Sequence, residues 1–314
     1  MNKIKHFSQV NDFTKEDFDE VFRRAKIFDV KGKDFTHVAP GKVLGLGFFQ
    51  ESTRTASGLQ SAIIRLGGGW NGIPSPAGSY VNIGEESMDD TLNSLSDSAD
   101  ILGIRHKNFD LATYSKKATV PLINGMCGGD EHSAGALGMA YTIAKKMGKM
   151  DNLKVGMYGM VKSSRPSKAI TRLLAKYGAT FYVDPVIPEF NTPDYIKKEA
   201  EASGAKFITA PVKDFIGEVD YFSVIEGLPQ AGEDPKHLEA YNKDFQIMGK
   251  KDFALLGKQS SFSYGMPGAM TDGRMIVNMT EADADSRCIT HAMLKDWTAV
   301  MMALITYLLD IKVK

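Results

Sequence analysis

VLGLGFFQESTRTASGLQSAIIRL, residues 43–66, is the stretch that decides the fold. Its first part, residues 43–50, is a short apolar run of the kind that forms a β-strand. Its last part repeats apolar residues at the spacing of one helix face, namely Leu59, Ala62, Ile63 and Leu66. The stretch therefore predicts a strand, a loop and a helix, and it places the polar residues 51–55 at the start of that helix.

The same alternation continues along the chain. Further apolar runs that predict strands are residues 99–104, 120–124, 154–158, 181–184, 206–209 and 220–225. Amphipathic patterns between and after them predict helices at residues 134–147, 193–202 and 297–308. Strands that alternate with helices are typical of parallel sheets. We therefore predict an α/β fold of two doubly wound parallel-sheet domains, with a C-terminal helix that packs back on the first.

A break at residues 148–152 predicts the domain boundary. The first domain is expected to contain residues 1–148 and the C-terminal helix, residues 291–314, and the second domain residues 149–290. Three glycine-containing stretches, residues 67–69, 72–84 and 227–236, are expected to be mobile loops. Ligands of open α/β sheets bind where such loops leave the carboxyl ends of the strands.

Bulk properties exclude several classes of protein. The 314 residues contain 38 basic and 38 acidic side chains, so no global charge favours a nucleic acid or an anionic membrane as partner. The most apolar segment, residues 299–309, is too short to span a bilayer. The two cysteines, Cys127 and Cys288, show neither a disulfide nor a zinc-ligand spacing. We expect a soluble protein in the reducing cytoplasm.

The polar segment Ser52-Thr53-Arg54-Thr55 has the chemistry of a phosphate site. The start of a helix offers N–H groups without intrahelical acceptors and the positive end of the helix dipole. Three hydroxyls and the guanidinium of Arg54 add further donors. Taken alone, the segment could equally be an ordinary Ser/Thr helix cap followed by a solvent-facing arginine.

Four motifs in order resemble the aspartate and ornithine carbamoyltransferase family. They are Phe48-Phe49-Gln50-Glu51-Ser52-Thr53-Arg54-Thr55, Arg105-His106 after a strand, Gly129-Asp130-Glu131-His132 before a helix, and Lys162-Ser163-Ser164-Arg165 in the second half. The resemblance spans about residues 40–310. It implies an enzyme that transfers a carbamoyl group from carbamoyl phosphate to an amine, with the donor held by the first domain and the acceptor by the second.

The resemblance also assigns roles on the donor side. Ser52, Thr53, Arg54 and Thr55 match phosphate ligands, Arg105 matches an arginine that contacts both phosphate and carbonyl, and His132 matches a histidine that donates to the carbonyl. Arg54, Arg105 and His132 are the expected catalytic residues. Direct attack by an uncharged amine requires no cofactor and no metal, because these groups stabilise the charge on the carbonyl oxygen. Taken singly, Arg105 could be a surface ion-pair partner and His132 a capping or core histidine.

Departures from the family concentrate on the acceptor side. Arg165 is kept and matches a ligand of the acceptor's α-carboxylate. The strand at residues 220–225 leads into Glu226, where aspartate-specific members have an arginine for the side-chain carboxylate. The family's H-P-L-P turn becomes Tyr264-Gly265-Met266-Pro267. We expect Arg165, Glu226, Met266 and Pro267 to bind the acceptor, which then carries a carboxylate and, at its far end, a cationic or hydrogen-bond-donating group.

Two further contacts of the family are also absent from the sequence. Gly135 stands where close relatives have a glutamine three residues after the histidine, and residues 81–87 contain no lysine of the kind that enters a neighbouring subunit's site. The resemblance implies a homotrimer, with residues 78–87 as the loop that reaches a neighbour. It does not say whether regulatory chains bind.

Three other interpretations remain open on the sequence. Residues 154–184 imitate a dinucleotide-binding βαβ unit, although their glycine spacing is wrong for NAD(P). Cys127, Asp130, Glu131 and His132 could be drawn as a metal site, although ligands so close in sequence rarely converge. The losses on the acceptor side are also what a catalytically inactive structural or regulatory paralogue would show.

Overall fold

The decisive stretch folds as a strand, a loop and a helix in the computed structural model, which describes residues 4–73, 75–77, 79–229 and 231–314. Strand β1 (Val43–Phe48) is followed by helix α2 (Arg54–Arg65). The helix buries Leu59, Ala62 and Ile63, so its apolar face is the predicted one. Residues 74, 78 and 230, which belong to predicted loops, and residues 1–3 of the first predicted domain lie outside the described part.

The chain divides into two compact units. The first contains Met1–Tyr141 and Leu294–Lys314, and the second contains Thr142–Met293. The chain crosses from one to the other inside α5 (Ser133–Met147) and returns inside α12 (Thr290–Leu308). The predicted boundaries, after residues 148 and 290, lie near one end of each of these two helices. A sequence pattern indicates where a helix ends, but it does not show which unit each half of the helix contacts. As boundaries of function they stay predictions.

The first unit is built on a four-stranded parallel sheet. Its strands are β1, β2 (Gly69–Ile73), β3 (Ile101–Arg105) and β4 (Leu122–Asn124), in the order β2-β1-β3-β4. The other helices within this unit are α1 (Lys15–Phe28), α3 (Met88–Asp97) and α4 (Leu111–Ser115). The last residues of the chain, including most of α12, belong to this unit, as the prediction of a returning C-terminal helix requires.

The second unit contains a five-stranded parallel sheet. Its strands are β5 (Lys154–Tyr158), β6 (Thr180–Asp184), β7 (Lys206–Thr209), β8 (Tyr221–Val224) and β9 (Ser261–Tyr264), in the order β7-β6-β5-β8-β9. Its helices are α6 (Arg165–Ala175), α7 (Asp194–Ala202), α8 (Val212–Phe215), α9 (Pro235–Asp244), α10 (Lys250–Phe253) and α11 (Met279–Ala284). The two sheets confirm the predicted α/β class. No described helix is both long enough and apolar enough to cross a membrane.

All three predicted mobile loops contain regular structure, since β2 overlaps residues 67–69 and 72–84 and α9 overlaps residues 227–236. The glycine-rich stretch after α2 forms β2, because parallel pairing with β1 supplies the hydrogen bonds that its weak β-propensity does not predict. The predicted loop at residues 227–236 runs into α9, where the Asp234 carboxylate accepts from the N–H of Lys236 at 2.9 Å and Pro235 occupies the first turn. The three predictions of a loop were wrong at the residues that β2 and α9 occupy.

Gly72 shows why β2 tolerates glycine. Its φ is +101°, and a Cβ at this position would lie 2.4 Å from the carbonyl oxygen of Leu46 on the paired strand. Any other residue would combine a strained backbone with a steric clash. The glycine therefore allows β2 to pair closely with the central strand.

Gly72→Ala should lower the free energy of unfolding by about 1–3 kcal/mol, because it places a side chain at a positive φ and against a carbonyl. Gly69→Ala in the same strand is the matched control, since a Cβ there meets nothing within 4 Å. Urea denaturation of both variants measures the difference. Equal unfolding midpoints for the two variants would show that Gly72 is not required.

Candidate functional site

The predicted donor residues gather where neighbouring strands of the first sheet end. The order β2-β1-β3-β4 places β1 beside β3, and the chain turns to opposite sides of that pair, to β2 and to β4. Such a switch in strand order leaves a crevice at the carboxyl ends of the strands, where ligands bind in open α/β sheets. Ser52-Thr53-Arg54-Thr55 follows β1, and Arg105 ends β3.

The start of α2 is free of negative charge. Its first turn contains no acidic residue, whereas the first turn of α1 contains Glu16 and Asp17. The Ser52 hydroxyl oxygen accepts from the N–H of Ala56 at 3.3 Å, which leaves its own proton available for a ligand. The side chain of Arg54, the first residue of the helix, is exposed. The helix dipole and these donors make this terminus suited to an anion.

Arg105 is fixed beside this loop by main-chain pairing. It stands opposite Phe48 in the β1–β3 register, and its carbonyl oxygen accepts from the N–H of Phe49 at 2.9 Å. Its side chain is partly buried. The register therefore places Arg105 beside the last residue of β1, next to the loop that carries Arg54.

His132 lies just before α5, and its ring is oriented by the helix that follows. The N–H of Gly135 donates to Nδ1 at 3.3 Å, so Nδ1 is an acceptor and the proton of the neutral ring is on Nε2. Nε2 lies 3.5 Å from the hydroxyl oxygen of the buried Thr55. The structure thus brings together the His132 imidazole and the Thr55 hydroxyl, two groups that were predicted as site residues from separate motifs.

The metal-site interpretation finds no support in the described residues. Among them, no group of three or more His, Cys, Asp and Glu side chains is arranged to hold a metal ion. Cys127 donates instead to the carbonyl oxygen of Ile104, and Glu131 accepts from the N–H of Val10 and from the Ser133 hydroxyl. The Cys127 and Glu131 side chains therefore form hydrogen bonds that stabilise the loop before His132.

The turn between β5 and α6 does not have the form of a dinucleotide-binding loop. Met160 and Val161 are fully buried there. Glycine-rich loops bind a pyrophosphate because their backbone can approach it without side chains in the way. Two bulky apolar side chains packed into the turn do not provide such an approach.

The predicted acceptor residues occupy the equivalent position in the second sheet. Strand order β7-β6-β5-β8-β9 reverses between β5 and β8, so the crevice of this sheet lies at the carboxyl ends of that pair. Arg165, the first residue of α6, follows β5, and Glu226 follows β8. Ser164 caps α6 by accepting from the N–H of Ser167 at 3.1 Å.

Glu226 and Arg165 lie close enough to interact. Burial raises the pKa of Glu226, while a hydrogen bond from the Ser164 hydroxyl and the charge of Arg165 act in the opposite direction. A Cβ on Gly265, which follows β9, would lie 2.6 Å from a carboxylate oxygen of Glu226. The absence of a side chain at residue 265 therefore makes room for this carboxylate.

Met266 and Pro267 follow Gly265, and the peptide bond between Met266 and Pro267 is cis. Met266 is partly buried and packs against the core of the second unit, whereas Pro267 is exposed. Pro267 can contact a ligand without rearrangement of the core. Met266 contributes mainly to the support of the turn.

Two residues, Ser164 and Glu233, have contacts around the predicted Lys162-Ser163-Ser164-Arg165 motif that the sequence did not predict. The Ser164 hydroxyl bonds to Glu226, and Glu233 forms an ion pair of 3.0 Å with Lys162 and accepts from Ser163 at 3.2 Å. Ser164 stood inside a quoted motif, so its position was visible but its partner was not. Glu233 lay in a predicted loop, and nothing in the local sequence signals its partners.

The two sets of residues offer complementary chemistry. The first unit presents an anion-binding helix terminus, a guanidinium and an imidazole N–H that can stabilise a developing oxyanion. The second unit presents a guanidinium for a carboxylate and a carboxylate for a cation or a hydrogen-bond donor. Taken unit by unit, these side chains have the chemistry that transfer of an acyl-type group from a phosphate to an amine requires.

Comparisons with known proteins agree with this chemistry. Residues 5–145 match the carbamoyl-phosphate-binding domain of aspartate/ornithine carbamoyltransferases. The aspartate carbamoyltransferase catalytic subunit of Finegoldia magna is 30% identical over 99% of this chain and 100% of its own length. The corresponding subunit of Pyrobaculum calidifontis is 30% identical over 75% of this chain and 77% of its own length.

Solved structures share the fold. The catalytic subunit of M. Jannaschii aspartate transcarbamoylase superposes with a TM-score of 0.83 at 23% identity and covers 98% of both chains. Aspartate transcarbamoylase from Trypanosoma cruzi in complex with carbamoyl phosphate gives a TM-score of 0.84 at 21% identity, over 96% of this chain and 95% of that one. Because sequence similarity extends over essentially the whole length of a relative, the chain belongs to the aspartate/ornithine carbamoyltransferase family and is a carbamoyltransferase.

Proposed function

We propose that this enzyme transfers the carbamoyl group of carbamoyl phosphate to the amine of a carboxylate-bearing amino acid or related amine other than aspartate. The observation that carries the acceptor assignment is Glu226, a carboxylate beside Arg165 at the switch point of the second sheet. A second carboxylate, such as the side chain of aspartate, would be repelled there. A cationic or hydrogen-bond-donating group would be attracted.

Carbamoyl phosphate is the proposed donor. The similar enzyme from Trypanosoma cruzi has been solved with carbamoyl phosphate and with carbamoyl phosphate and aspartate. In this chain the first turn of α2 contains no acidic residue, and together with Ser52, Thr53, Arg54 and Thr55 it supports a phosphate site. Arg105, at the end of the neighbouring strand, is proposed to contact both the phosphate and the carbonyl oxygen.

The proposed reaction is a direct displacement. An uncharged amine attacks the carbonyl carbon, and negative charge grows on the carbonyl oxygen. His132 donates from Nε2, and Arg105 and the Thr55 hydroxyl stabilise the same oxygen. The bond from carbon to the phosphate oxygen then breaks, and Arg54 and the helix terminus stabilise the leaving phosphate, which can take the proton that the amine loses. Orientation of two bound reactants supplies further acceleration.

We also propose a homotrimer in which the loop at residues 79–87 contacts a neighbouring copy. Tyr80 is 62% exposed and Ile83 is 66% exposed, and both lie in this loop. Neighbouring exposed apolar side chains favour a protein contact over solvent. The predicted loop began at residue 78, which lies outside the described residues.

Arg54→Ala should weaken the binding of carbamoyl phosphate at least about a hundredfold, because it removes the main counter-charge to a phosphate dianion. Arg65→Ala, at the opposite end of the same helix, is the matched control and should bind normally. Titration calorimetry with carbamoyl phosphate, and separately with inorganic phosphate, measures both variants. Micromolar binding by Arg54→Ala would overturn the phosphate-site assignment.

Glu226→Gln should change acceptor preference. It keeps the size of the side chain but removes its charge, so kcat/KM for a cationic acceptor should fall about tenfold or more relative to a neutral one. Glu218→Gln is the control, since the Glu218 side chain is 71% exposed. An unchanged ratio of kcat/KM values for cationic and neutral acceptors would contradict the assignment of Glu226.

The pH dependence follows from the same carboxylate. Because burial raises the pKa of Glu226 above its ordinary value, the ionised form should be lost on acidification earlier than for an exposed glutamate. Affinity for a cationic acceptor should therefore fall as the pH is lowered through that raised pKa. Glu226→Gln should abolish this dependence, and a pH profile that is the same in both proteins would argue against it.

A further inference from the structure

Trp297 of α12 lies in gaps that two glycines leave in neighbouring helices of the first unit. A Cβ on Gly58, in α2, would lie 2.1 Å from both Cδ1 and Nε1 of the indole. A Cβ on Gly138, in α5, would lie 2.7 Å from Cε3 on the opposite side of the ring system. Neither distance is compatible with a side chain, so the indole occupies space that exists only because both residues are glycine.

The same indole stands next to His132. The centroids of the two rings are 6.3 Å apart at an interplanar angle of 59°. Gly135 bounds the imidazole as well, since a Cβ there would lie 2.8 Å from His132 Cδ2. The imidazole is therefore placed by the packing of Trp297 and Gly135 while its Nε2 faces the Thr55 hydroxyl at 3.5 Å.

The indole N–H has no hydrogen-bond partner in the described part of the chain, although Nε1 is buried. A buried donor without an acceptor is unfavourable, and most buried indole N–H groups find one. Hydrogen bonding therefore does not explain why Trp297 lies here. The fit of the indole between Gly58 and Gly138 explains the position of Trp297.

We propose that Trp297 is a positioning residue for carbamoyl transfer, which, packed between Gly58 and Gly138, sets the spacing of α2 and α5 and so holds His132 beside Thr55. The inference rests on the proposed function in that it treats His132 and Thr55 as parts of the donor site. It assigns the C-terminal helix a role in the geometry of that site. Trp297 itself touches no reacting atom.

Paired substitutions test the spacing directly. Gly138→Ala adds a methyl group against the indole, and Trp297→Phe removes the outer ring atoms, including Cε3, that the methyl would meet. An alanine in a helix is otherwise favourable. We expect each single variant to lower kcat about tenfold, since small displacements of catalytic groups are costly, and the double variant to return to within about threefold of the parent.

The readouts separate positioning from general stability. Steady-state kinetics should show a fall in kcat larger than any rise in KM for the donor, and the imidazole ¹⁵N signals of His132 should shift in both single variants and recover in the double variant. Gly69→Ala, which adds the same methyl in open space, should leave kinetics and signals unchanged. Single variants with parental kcat and parental His132 signals, or a double variant without recovery, would overturn the inference.

A measurement without substitutions at the packed residues covers the case in which those variants fold poorly. The chain has two tryptophans, so Trp70→Phe leaves Trp297 as the only source of indole emission. Binding of carbamoyl phosphate beside His132 should change that emission. Unchanged emission at a concentration where calorimetry shows full binding would contradict the placement of Trp297 at the donor site.

The outcomes also distinguish this inference from the proposed function. If the unsubstituted enzyme binds no carbamoyl phosphate, the assignment of the donor is wrong, and the proposed role of Trp297 is then wrong as well. If it binds and transfers normally but the paired substitutions show no coupling, only the role of Trp297 fails.

Discussion

The parallel pairing of β1 with β3 is the constraint on which the donor site depends. The register that sets Phe48 opposite Arg105 brings the end of one strand next to the loop that follows the other. Because the chain leaves β1 and β3 toward opposite sides, the loop at Ser52-Thr53-Arg54-Thr55 and the Arg105 side chain border a crevice without any contribution from distant segments. A register shifted by one residue would turn Arg105 to the other face of the sheet.

The second unit repeats this arrangement with different chemistry. Its switch point between β5 and β8 places Arg165 near Glu226, where Ser164 and the charge of Arg165 partly offset the unfavourable burial of the carboxylate. The first sheet therefore concentrates positive charge for an anion, whereas the second combines both signs. A mixed site of this kind suits an amino acid that itself carries both signs, and Glu226 is the residue on which the proposed acceptor rests.

Local patterns in the sequence were sufficient to predict most of the strands and helices that carry the candidate site, but not β9, the strand before Met266 and Pro267. The run at residues 43–50 and the helix after it have clear periodicity, Arg105 stands directly after a predicted strand, and His132 stands just before a predicted helix. Strand β2 was missed because glycine and asparagine predict a loop, and pairing with β1 decides otherwise. The contacts of Trp297 with Gly58 and Gly138 join three separate helices, so no local pattern could show them. The hydrogen bond between Ser164 and Glu226 also joins residues that are distant in sequence, so no local pattern could show it.

We propose that the enzyme carbamoylates an amine other than that of aspartate. The direct measurement is incubation of the purified protein with ¹³C-carbamoyl phosphate and a panel of amino acids and diamines, with aspartate included, followed by mass spectrometry of the products. We expect labelled carbamoyl product, formed together with phosphate, fastest with an acceptor that carries a carboxylate and a cationic or hydrogen-bond-donating far end. Transfer fastest to aspartate, or transfer to no amine although the donor binds, would contradict it.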